Sequence, residues 1–168
     1  MNRRRFLAGV AGAGALAGGA WLARSDGTAD ALSPVTVETL DARGSSAGDL
    51  TLFDGGVAVV DLFATTCPPC KPQVGNLAKA REELDVRFVS VTNQVLGGTL
   101  TKADLRNWWA EAGGDWPVAL DADGAVTRAL GARNLPYTAI VDGDWVAWAE
   151  AGTTPPEKVV SAVEEVTG

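Results

Sequence analysis

The feature that most constrains the fold is an apolar run, residues 57–63, that leads into a Cys-Pro-Pro-Cys segment at residues 67–70. A short, almost continuous apolar run predicts a central strand buried on both faces of a sheet. Two prolines fit the first turn of a helix, where backbone N–H groups have no partner within the helix. We therefore expect a helix over residues 68–84. A buried strand followed closely by a helix is typical of an α/β fold.

Strand and helix patterns alternate along the rest of the chain. An Asp142-Gly143 pair between two strand patterns predicts a hairpin near the C-terminus. Strands separated by helices and followed by a hairpin predict an α/β sandwich with a mixed central sheet. The other predicted strands are residues 35–40, 50–53, 86–91, 116–120, 137–141 and 145–149, and the other predicted helices are residues 101–112, a short segment that ends near residue 131, and a last helix from residue 155.

Cys67 and Cys70 are the only cysteines in the chain. Two thiols three positions apart, between a strand and a helix, can close a small reversible disulfide, so the pattern predicts thiol–disulfide exchange. The thiolate is the reactive form of a cysteine. Because Cys67 is placed at the start of the predicted helix, the positive end of the helix dipole is expected to lower its pKa below that of a free thiol.

The composition excludes several other kinds of site. The chain contains no histidine, which excludes a Ser-His-Asp triad, a Cys-His nucleophile pair and a histidine-ligated metal. Two cysteines alone cannot complete a four-ligand zinc or iron–sulfur site within one chain. We therefore expect neither a metal nor a cofactor.

The net charge of the chain is −7, and it is unevenly distributed. The first 24 residues carry four Arg and no acidic residue, so the remainder is close to −11. An acidic body of this kind repels phosphate backbones and anionic lipids. Nucleic acid is therefore not an expected partner, and a membrane is expected to be contacted only through the N-terminal segment.

The N-terminus has the pattern of an export signal. Three arginines at positions 3–5 precede an uncharged stretch over residues 6–23, and a basic start followed by an apolar run is typical of signal sequences. The arginines resemble a twin-arginine export motif. We expect residues 1–23 to be a signal or membrane anchor, residues 24–34 a linker and residues 35–168 the folded domain. The protein is then extracytoplasmic, either secreted or tethered to the outer face of the cell membrane.

Three segments together resemble the thioredoxin superfamily. Residues 59–70 resemble its active-site segment, and residues 116–124 and 135–143 match later blocks in order and spacing. The most similar branch is that of the TlpA/ResA-like extracytoplasmic thiol–disulfide oxidoreductases, which often carry Cys-Pro-Pro-Cys. The resemblance covers roughly residues 35–166 and implies a thioredoxin-like three-layer sandwich, with a mixed central sheet flanked by helices.

The resemblance also implies roles for residues of the motif. Cys67 is expected to be the exposed nucleophile that attacks a substrate disulfide, and Cys70 the shielded cysteine that resolves the mixed disulfide. Asp61 is the only charged residue in the apolar run, and its burial is expected to raise its pKa. In thioredoxins the matching position is a buried acid, which implies that Asp61 is the general acid/base for Cys70.

Further positions are assigned to the substrate groove by the same resemblance. Pro136 is expected to be the cis-proline that faces the disulfide, since a cis X–Pro bond generally serves a purpose. Leu135 is expected to offer backbone hydrogen bonds to an extended partner segment. Thr66, Pro68 and Pro69, which surround the cysteines, are expected to contact the substrate.

The predicted partners are protein thiols and disulfides. A reductant role in cytochrome c maturation would add a membrane electron donor and apocytochrome-like substrates. The sequence leaves two alternatives open. One is a peroxiredoxin-like thiol peroxidase, although Ala64 stands where those enzymes usually have Thr. The other is a non-catalytic binding module of the same fold, although so small a disulfide loop contributes little as a staple.

Overall fold

The computed structural model describes residues 31–168, so the predicted leader and most of the predicted linker lie outside the described residues. Within residues 31–168 the chain forms seven strands and four helices. The strands are β1 (Val35–Thr39), β2 (Gly48–Leu52), β3 (Val57–Leu62), β4 (Arg87–Thr92), β5 (Val118–Leu120), β6 (Tyr137–Asp142) and β7 (Trp145–Ala151), and the helices are α1 (Cys70–Arg81), α2 (Lys102–Ala112), α3 (Ala125–Ala129) and α4 (Pro156–Thr167).

The strands form one mixed sheet in the order β2-β1-β5-β4-β3-β6-β7. Strand β3 pairs in parallel with β4 and antiparallel with β6. A parallel pair needs a crossover connection, and α1 supplies the one between β3 and β4. The strand that leads to the cysteines is therefore fixed by a neighbour on each side.

Side chains from the two faces of the sheet enter two separate clusters. On one face, Val59 and Phe63 pack with residues of α1, α2 and α4. On the other face, Ala58, Val60 and Leu62 pack with residues of α3 and of the first two strands. Both faces of β3 are buried, as the apolar run predicts. The predicted thioredoxin-like sandwich, with helices on both sides of a mixed sheet, is confirmed.

Helix α1 begins at Cys70, two residues later than predicted. Pro72 carries no N–H group to donate to the carbonyl of Pro68, so the first hydrogen bond of the α-helical type is donated by Gln73 to the carbonyl of Pro69, at 3.2 Å. Pro68 and Pro69 therefore form the turn before α1, and Cys67 lies at the start of that turn.

The start of α2 follows a capping pair. Thr101 Oγ1 accepts the N–H of Asp104 at 3.1 Å, and the Asp104 carboxylate accepts the N–H of Thr101 at 3.0 Å. These bonds satisfy N–H groups that the first helical turn leaves without partners. The position of α2 matters for the site because its Trp108 and Trp109 pack against Phe63.

The last residues of the predicted linker pack against the domain. Leu32 is buried in the same cluster as Val37 and Phe53, and its N–H donates to the carbonyl of Asp144. Among residues 31–168, no helix combines the length and the apolar character needed to cross a membrane.

Candidate active site

Cys67 and Cys70 are joined by a disulfide bond, with their Cα atoms 5.4 Å apart. The two residues differ in their access to solvent. Cys67 is half-buried, whereas Cys70 is 0% exposed and packs among apolar side chains. A second protein can therefore reach one sulfur while the other is shielded. Attack by one thiol and resolution by a second require this kind of difference.

The loop between β3 and α1 is fixed at several points. The N–H of Thr65 donates to Gln94 Oε1, on the loop after β4, at 2.7 Å. The N–H of Cys67 donates to the carbonyl of Ala64, and the N–H of Cys70 donates to the carbonyl of Cys67, both at 3.1 Å. Both cysteines are thus held by backbone hydrogen bonds.

An aromatic stack supports the same loop. Phe63 follows β3 directly and is 1% exposed. Its ring stacks on Trp108 of α2, with centroids 4.9 Å apart and planes 8° from parallel, and it also packs against Trp109. Such aromatic pairs add about 1 kcal/mol beyond the burial of area. Phe63 therefore anchors the start of the active-site loop to α2.

Asp61 is buried on β3, and it lies on the same face of the strand as Val59 and Phe63. Side chains alternate along a strand, so its carboxylate points to the α1 side of the sheet, where Cys70 also packs. Oδ2 accepts a hydrogen bond from the Ser90 hydroxyl at 3.0 Å, and Oδ1 has no partner. Burial raises the pKa of Asp61 to about 7, and the bond from Ser90 opposes this effect. A carboxyl group with such a pKa exchanges its proton near neutral pH.

Ser90 is itself held by a tryptophan. Trp116 Nε1 donates to Ser90 Oγ at 3.0 Å, and both residues are buried. An indole N–H can only donate, so the single hydroxyl proton of Ser90 is directed at Asp61. Trp116 packs edge-on against Trp109, with ring centroids 5.1 Å apart. A chain of hydrogen bonds thus runs from Trp116 through Ser90 to Asp61.

Beyond Asp61 in the other direction, Gln73 ties α1 to the sheet. Thr138 on β6 is the register partner of Asp61, and its Oγ1 accepts a hydrogen bond from Gln73 Nε2 at 3.0 Å. Gln73 Oε1 accepts the N–H of Thr154 at 2.7 Å. An amide does not titrate in the physiological range, so Gln73 fixes the position of α1 and moves no proton.

The peptide bond between Leu135 and Pro136 is cis. Pro136 is buried and leads into β6, while Leu135 is half-buried and packs against both clusters. A cavity of about 230 Å³ lies at this turn, with Phe63 and Leu135 in its wall and polar groups of Asn93 and Arg133 at its lining. Neither cysteine lines the cavity, so it is separate from the disulfide itself.

The remaining residues predicted to bind substrate lie at the surface around Cys67. Thr66, Pro68 and Pro69 are all exposed. Proline offers no N–H group to a partner. The surface beside the half-buried sulfur therefore presents two apolar rings and the hydroxyl of Thr66.

Lys71 is the charged side chain closest in sequence to the disulfide. Its Nζ lies 2.8 Å from Oε2 of Glu111 on α2, and this hydrogen bond lowers the pKa of Glu111. Both side chains are largely exposed, so solvent screens the pair. The charge of Lys71 is thus engaged at the surface.

The sequence pattern singles out Asp61 but not Ser90, which donates a hydrogen bond to it. Ser90 is the one polar residue among residues 88–91, which is the same signal that singled out Asp61. The two residues are register partners on β3 and β4. A lone hydroxyl and a lone carboxylate in two apolar strands could have been paired, but the pairing depends on a register that one sequence does not supply.

The described residues offer no metal site. No group of three or more His, Cys, Asp or Glu side chains within residues 31–168 is placed to hold an ion. The two buried carboxylates in that part of the chain, Asp61 and Asp121, lie on different elements. The reactive group that the site offers is the disulfide between Cys67 and Cys70.

A family comparison covers the whole site. The Redoxin family profile matches residues 28–166, which is most of the chain. The match includes both cysteines, Asp61 and Pro136. No curated protein matches the chain.

Several solved structures share the fold. The pneumococcal exposed lipoprotein thioredoxin Etrx1 from Streptococcus pneumoniae is 19% identical, covers 79% of this chain and 99% of its own, and has a TM-score of 0.63. A putative thiol:disulfide interchange protein DsbE from Chlorobium tepidum is 20% identical, covering 83% and 96%, with a TM-score of 0.62. A secreted Mycobacterium tuberculosis disulfide oxidoreductase homologous to E. coli DsbE is 16% identical, covering 78% and 95%, with a TM-score of 0.62.

Proposed function

The chain belongs to the Redoxin family and is a thioredoxin-fold thiol–disulfide oxidoreductase, and we propose that it exchanges its Cys67–Cys70 pair with protein partners as an exported reductant. The observation that carries this proposal is the difference between the two cysteines, one half-buried at the surface and one fully enclosed. A disulfide that served only as a staple would close too small a loop to contribute much stability. A cycle between dithiol and disulfide needs one sulfur that a partner can reach and one that is shielded, and this pair has both.

In the proposed reaction the reduced protein attacks first with Cys67. Its thiolate displaces one sulfur of the partner's disulfide, which forms a mixed disulfide and releases one partner thiolate. Cys70 then attacks the Cys67 sulfur, which closes the intramolecular disulfide and releases the second partner thiolate. The partner gains two electrons and the Cys67–Cys70 pair loses two. An external donor must then reduce the pair for the next cycle.

Asp61 acts in this proposal as the general acid/base for Cys70. A buried thiol ionises poorly, so Cys70 needs a base to become a thiolate. Asp61 lies on the same side of the sheet as Cys70, keeps one oxygen without a partner, and has a pKa raised by burial to about 7. It can therefore accept the thiol proton at neutral pH and return it when the reaction runs in reverse.

The surface beside the disulfide binds an extended segment of the partner in this proposal. Leu135 lies outside β6, and its backbone groups make no backbone hydrogen bond within the described residues. They are therefore available to pair with the backbone of a partner, in the manner of an added strand. The exposed rings of Pro68 and Pro69, with Thr66, would contact the partner on the side of Cys67.

The proposal also includes export from the cytosol and a reducing role. The arginines at positions 3–5 and the uncharged stretch that follows support export. Two of the similar structures are described as an exposed lipoprotein and a secreted protein. Outside the cytosol thiols are readily oxidised, so a reductant there needs a supply of electrons. A membrane electron donor is the proposed source, and apocytochrome-like proteins are the proposed substrates.

Reduction of insulin disulfides tests the activity. The wild-type protein, supplied with dithiothreitol, is expected to accelerate the reaction. Cys67→Ser and Cys70→Ser are each expected to lose about 100-fold or more, because both thiols are needed for a turnover. Thermal unfolding of each variant checks that it is folded. A folded Cys67→Ser protein with the wild-type rate would overturn the proposal.

Trapping tests the partner. In Cys70→Ser no thiol resolves the mixed disulfide, so a partner stays bound to Cys67. We expect adducts on non-reducing gels that are absent from the Cys67→Ser variant, which keeps only the shielded thiol of Cys70. Adducts of equal amount in the two single variants would contradict the assigned order of attack.

The reduction potential tests the direction. Equilibration with glutathione is expected to give a value at or below about −250 mV, as a reductant requires. A potential near about −120 mV would make the protein an oxidant instead.

A peroxide assay separates this function from that of a thiol peroxidase. The wild-type protein is expected to consume no peroxide with a thiol reductant, because Ala64 stands where peroxiredoxins usually have Thr. Rapid consumption that is lost in Cys67→Ser would assign the protein to peroxide chemistry.

A further inference from the structure

We propose that Ser90 and Trp116 are positioning residues for the exchange reaction, because together they hold Asp61 by its Oδ2 atom and leave Oδ1 as the atom that takes the proton of the Cys70 thiol. This inference rests on the role proposed above for Asp61. Ser90 and Trp116 determine which oxygen of Asp61 is free to react, and they help to set the pH at which the second step of the exchange becomes fast.

The direction of each hydrogen bond on the β4 side is fixed by chemistry. The indole of Trp116 can only donate, and its Nε1 lies 3.0 Å from Ser90 Oγ. The hydroxyl of Ser90 has a single proton, which donates to Asp61 Oδ2 at 3.0 Å. Trp116, Ser90 and Asp61 are each 2% exposed or less, so water does not compete for these bonds. The carboxylate is therefore held through one oxygen only.

On the β6 side the neighbouring hydroxyl does not bind Asp61. Thr138 lies directly opposite Asp61 in the sheet, but its Oγ1 accepts from Gln73 Nε2 and makes no hydrogen bond to the carboxylate. Asp61 Oδ1 thus has no partner. Gln73 stands three residues after Cys70 on α1, so its hydrogen bond to Thr138 holds the helix that carries the resolving cysteine.

Few other titratable groups lie on the same side of the sheet as Asp61. Cys70 is buried in the apolar cluster on that side and the half-buried Cys67 packs against it, and both titrate when the disulfide is reduced. No other charge enters the pKa of Asp61, which is determined by burial and by the bond from Ser90. The other titratable or charged side chains of the elements packed against this face are all at least partly exposed: Arg87 of β4, Tyr137 and Asp142 of β6, Lys71, Lys79 and Arg81 of α1, Lys102, Asp104, Arg106 and Glu111 of α2, Asp115 before β5, and Glu157, Lys158, Glu164 and Glu165 of α4.

The step itself is a proton transfer followed by a displacement. The S–H bond of Cys70 breaks, and its proton moves to Asp61 Oδ1. The Cys70 thiolate attacks the sulfur of Cys67 in the mixed disulfide. A Cys67–Cys70 bond forms while the bond to the partner breaks, and the partner leaves as a thiolate with the electron pair. The hydrogen bond from Ser90 stabilises the charged form of Asp61 and thus sets the pH at which this base is available.

The test follows the second step alone. Fully reduced protein is mixed rapidly with excess 5,5′-dithiobis(2-nitrobenzoate). Cys67 releases one thionitrobenzoate and retains the other, and the attack by Cys70 releases the second. The second phase does not depend on the reagent concentration, and its pH profile reports the base. For the wild type we expect a midpoint near the pKa of Asp61, about 7.

Ser90→Ala is expected to move this midpoint upward by about one pH unit and to slow the second phase about tenfold below the midpoint, because the charged form loses its donor. Trp116→Phe keeps the hydroxyl of Ser90 but removes the donor that orients it, and a smaller upward shift is expected. Ser45→Ala is the matched control. Ser45 is also buried, and its hydroxyl accepts the N–H of Val118 away from Asp61, so its removal is expected to leave the midpoint unchanged.

The outcomes separate this inference from the proposed function. If Asp61→Asn abolishes the midpoint while Ser90→Ala and Trp116→Phe leave it in place, the positioning role is wrong and the role of Asp61 stands. A shift in Ser45→Ala as large as that in Ser90→Ala would also overturn the inference, since general loss of stability would then explain both. If the wild type releases no second thionitrobenzoate, the exchange function itself fails.

Discussion

Two buried aspartates of this protein have the same exposure but different numbers of hydrogen-bond donors around them. Asp61 and Asp121 are each 1% exposed. Asp121 accepts three hydrogen bonds, from the N–H of Val126, the N–H of Thr127 and the hydroxyl of Thr127, at 2.9 to 3.0 Å. Asp61 accepts one, from Ser90, and keeps an oxygen without a partner. The donors differ in number although the burial does not.

The number of donors decides whether a buried carboxylate of this fold holds a turn or stays able to exchange a proton. Asp121 precedes α3, and its oxygens satisfy N–H groups at the start of that helix. Asp61 has one donor and an apolar cluster around it, so burial raises its pKa to about 7. The first carboxylate fixes a turn, and the second can exchange a proton at neutral pH.

The largest effect that tests this comparison is on stability at alkaline pH. Between the unfolded pKa near 3.8 and the folded pKa near 7, the native protein holds a proton on Asp61 that the unfolded chain has lost. The stability contributed by protonated Asp61 is therefore fully present below about pH 3.8 and is lost as the pH rises through about 7. At pH 8 the uncompensated charge costs up to about 4 kcal/mol.

Asp61→Asn is accordingly expected to raise the free energy of unfolding of the oxidised protein by up to about 4 kcal/mol at pH 8. The gain shrinks as the pH falls towards 4. Urea unfolding at several pH values measures both quantities. A variant that is less stable than the wild type at pH 8 would show that the carboxylate of Asp61 is satisfied in a way that the comparison denies.

The second effect is a loss of stability when Asp121 is changed, which is opposite in sign to the gain expected at Asp61. Asp121→Asn places an amide N–H group against the donors of Thr127, and it is expected to lower the free energy of unfolding by about 2 to 3 kcal/mol at neutral pH. The rate at which Cys70 releases the second thionitrobenzoate is expected to stay at the wild-type value. Urea unfolding and rapid mixing on the same preparation measure the two. A gain in stability here would remove the distinction between the two carboxylates.

The smallest effect concerns the surface charge beside the site. If Lys71 supplied the field that acts on Asp61 or the cysteines, Lys71→Gln would move the pH midpoint of the second phase. Because Lys71 is paired with Glu111 in solvent, we expect the midpoint to stay in place and the rate to change by less than about twofold. Glu111→Gln is the matched variant, since it frees the lysine. A shift in either variant would add a long-range charge to the factors that set the pKa of Asp61.

Much of the fold followed from local sequence patterns. The apolar run over residues 57–63 became the buried strand β3, and the hairpin predicted from Asp142-Gly143 joins β6 to β7, with Asp142 ending β6 and Gly143 in the turn. The predicted start of α1 was wrong by two residues, because Pro72 has no N–H group to donate to the carbonyl of Pro68. Such patterns act over a few residues, which is the range that one sequence reveals.

The surroundings of Asp61 could be predicted only in part. Its burial followed from its place in an apolar run. Its partner Ser90 lies 29 positions away and reaches it through the register of β3 and β4, and Trp116 reaches Ser90 across 26 positions. These contacts depend on strand order and register, which are properties of the whole sheet. The number of donors on each aspartate therefore needed the structure.

Whether Asp61 can exchange a proton near neutral pH is measured by its pKa in the oxidised protein. Carbon-13 NMR of carboxyl-labelled aspartate follows each side chain during a pH titration, and the resonance missing from Asp61→Asn identifies the group. We predict a pKa of about 7 for that resonance. A value below about 5 would mean that the protein stabilises the charged form of Asp61 despite its burial. The proposed role of Asp61 as the base for Cys70 would then be wrong.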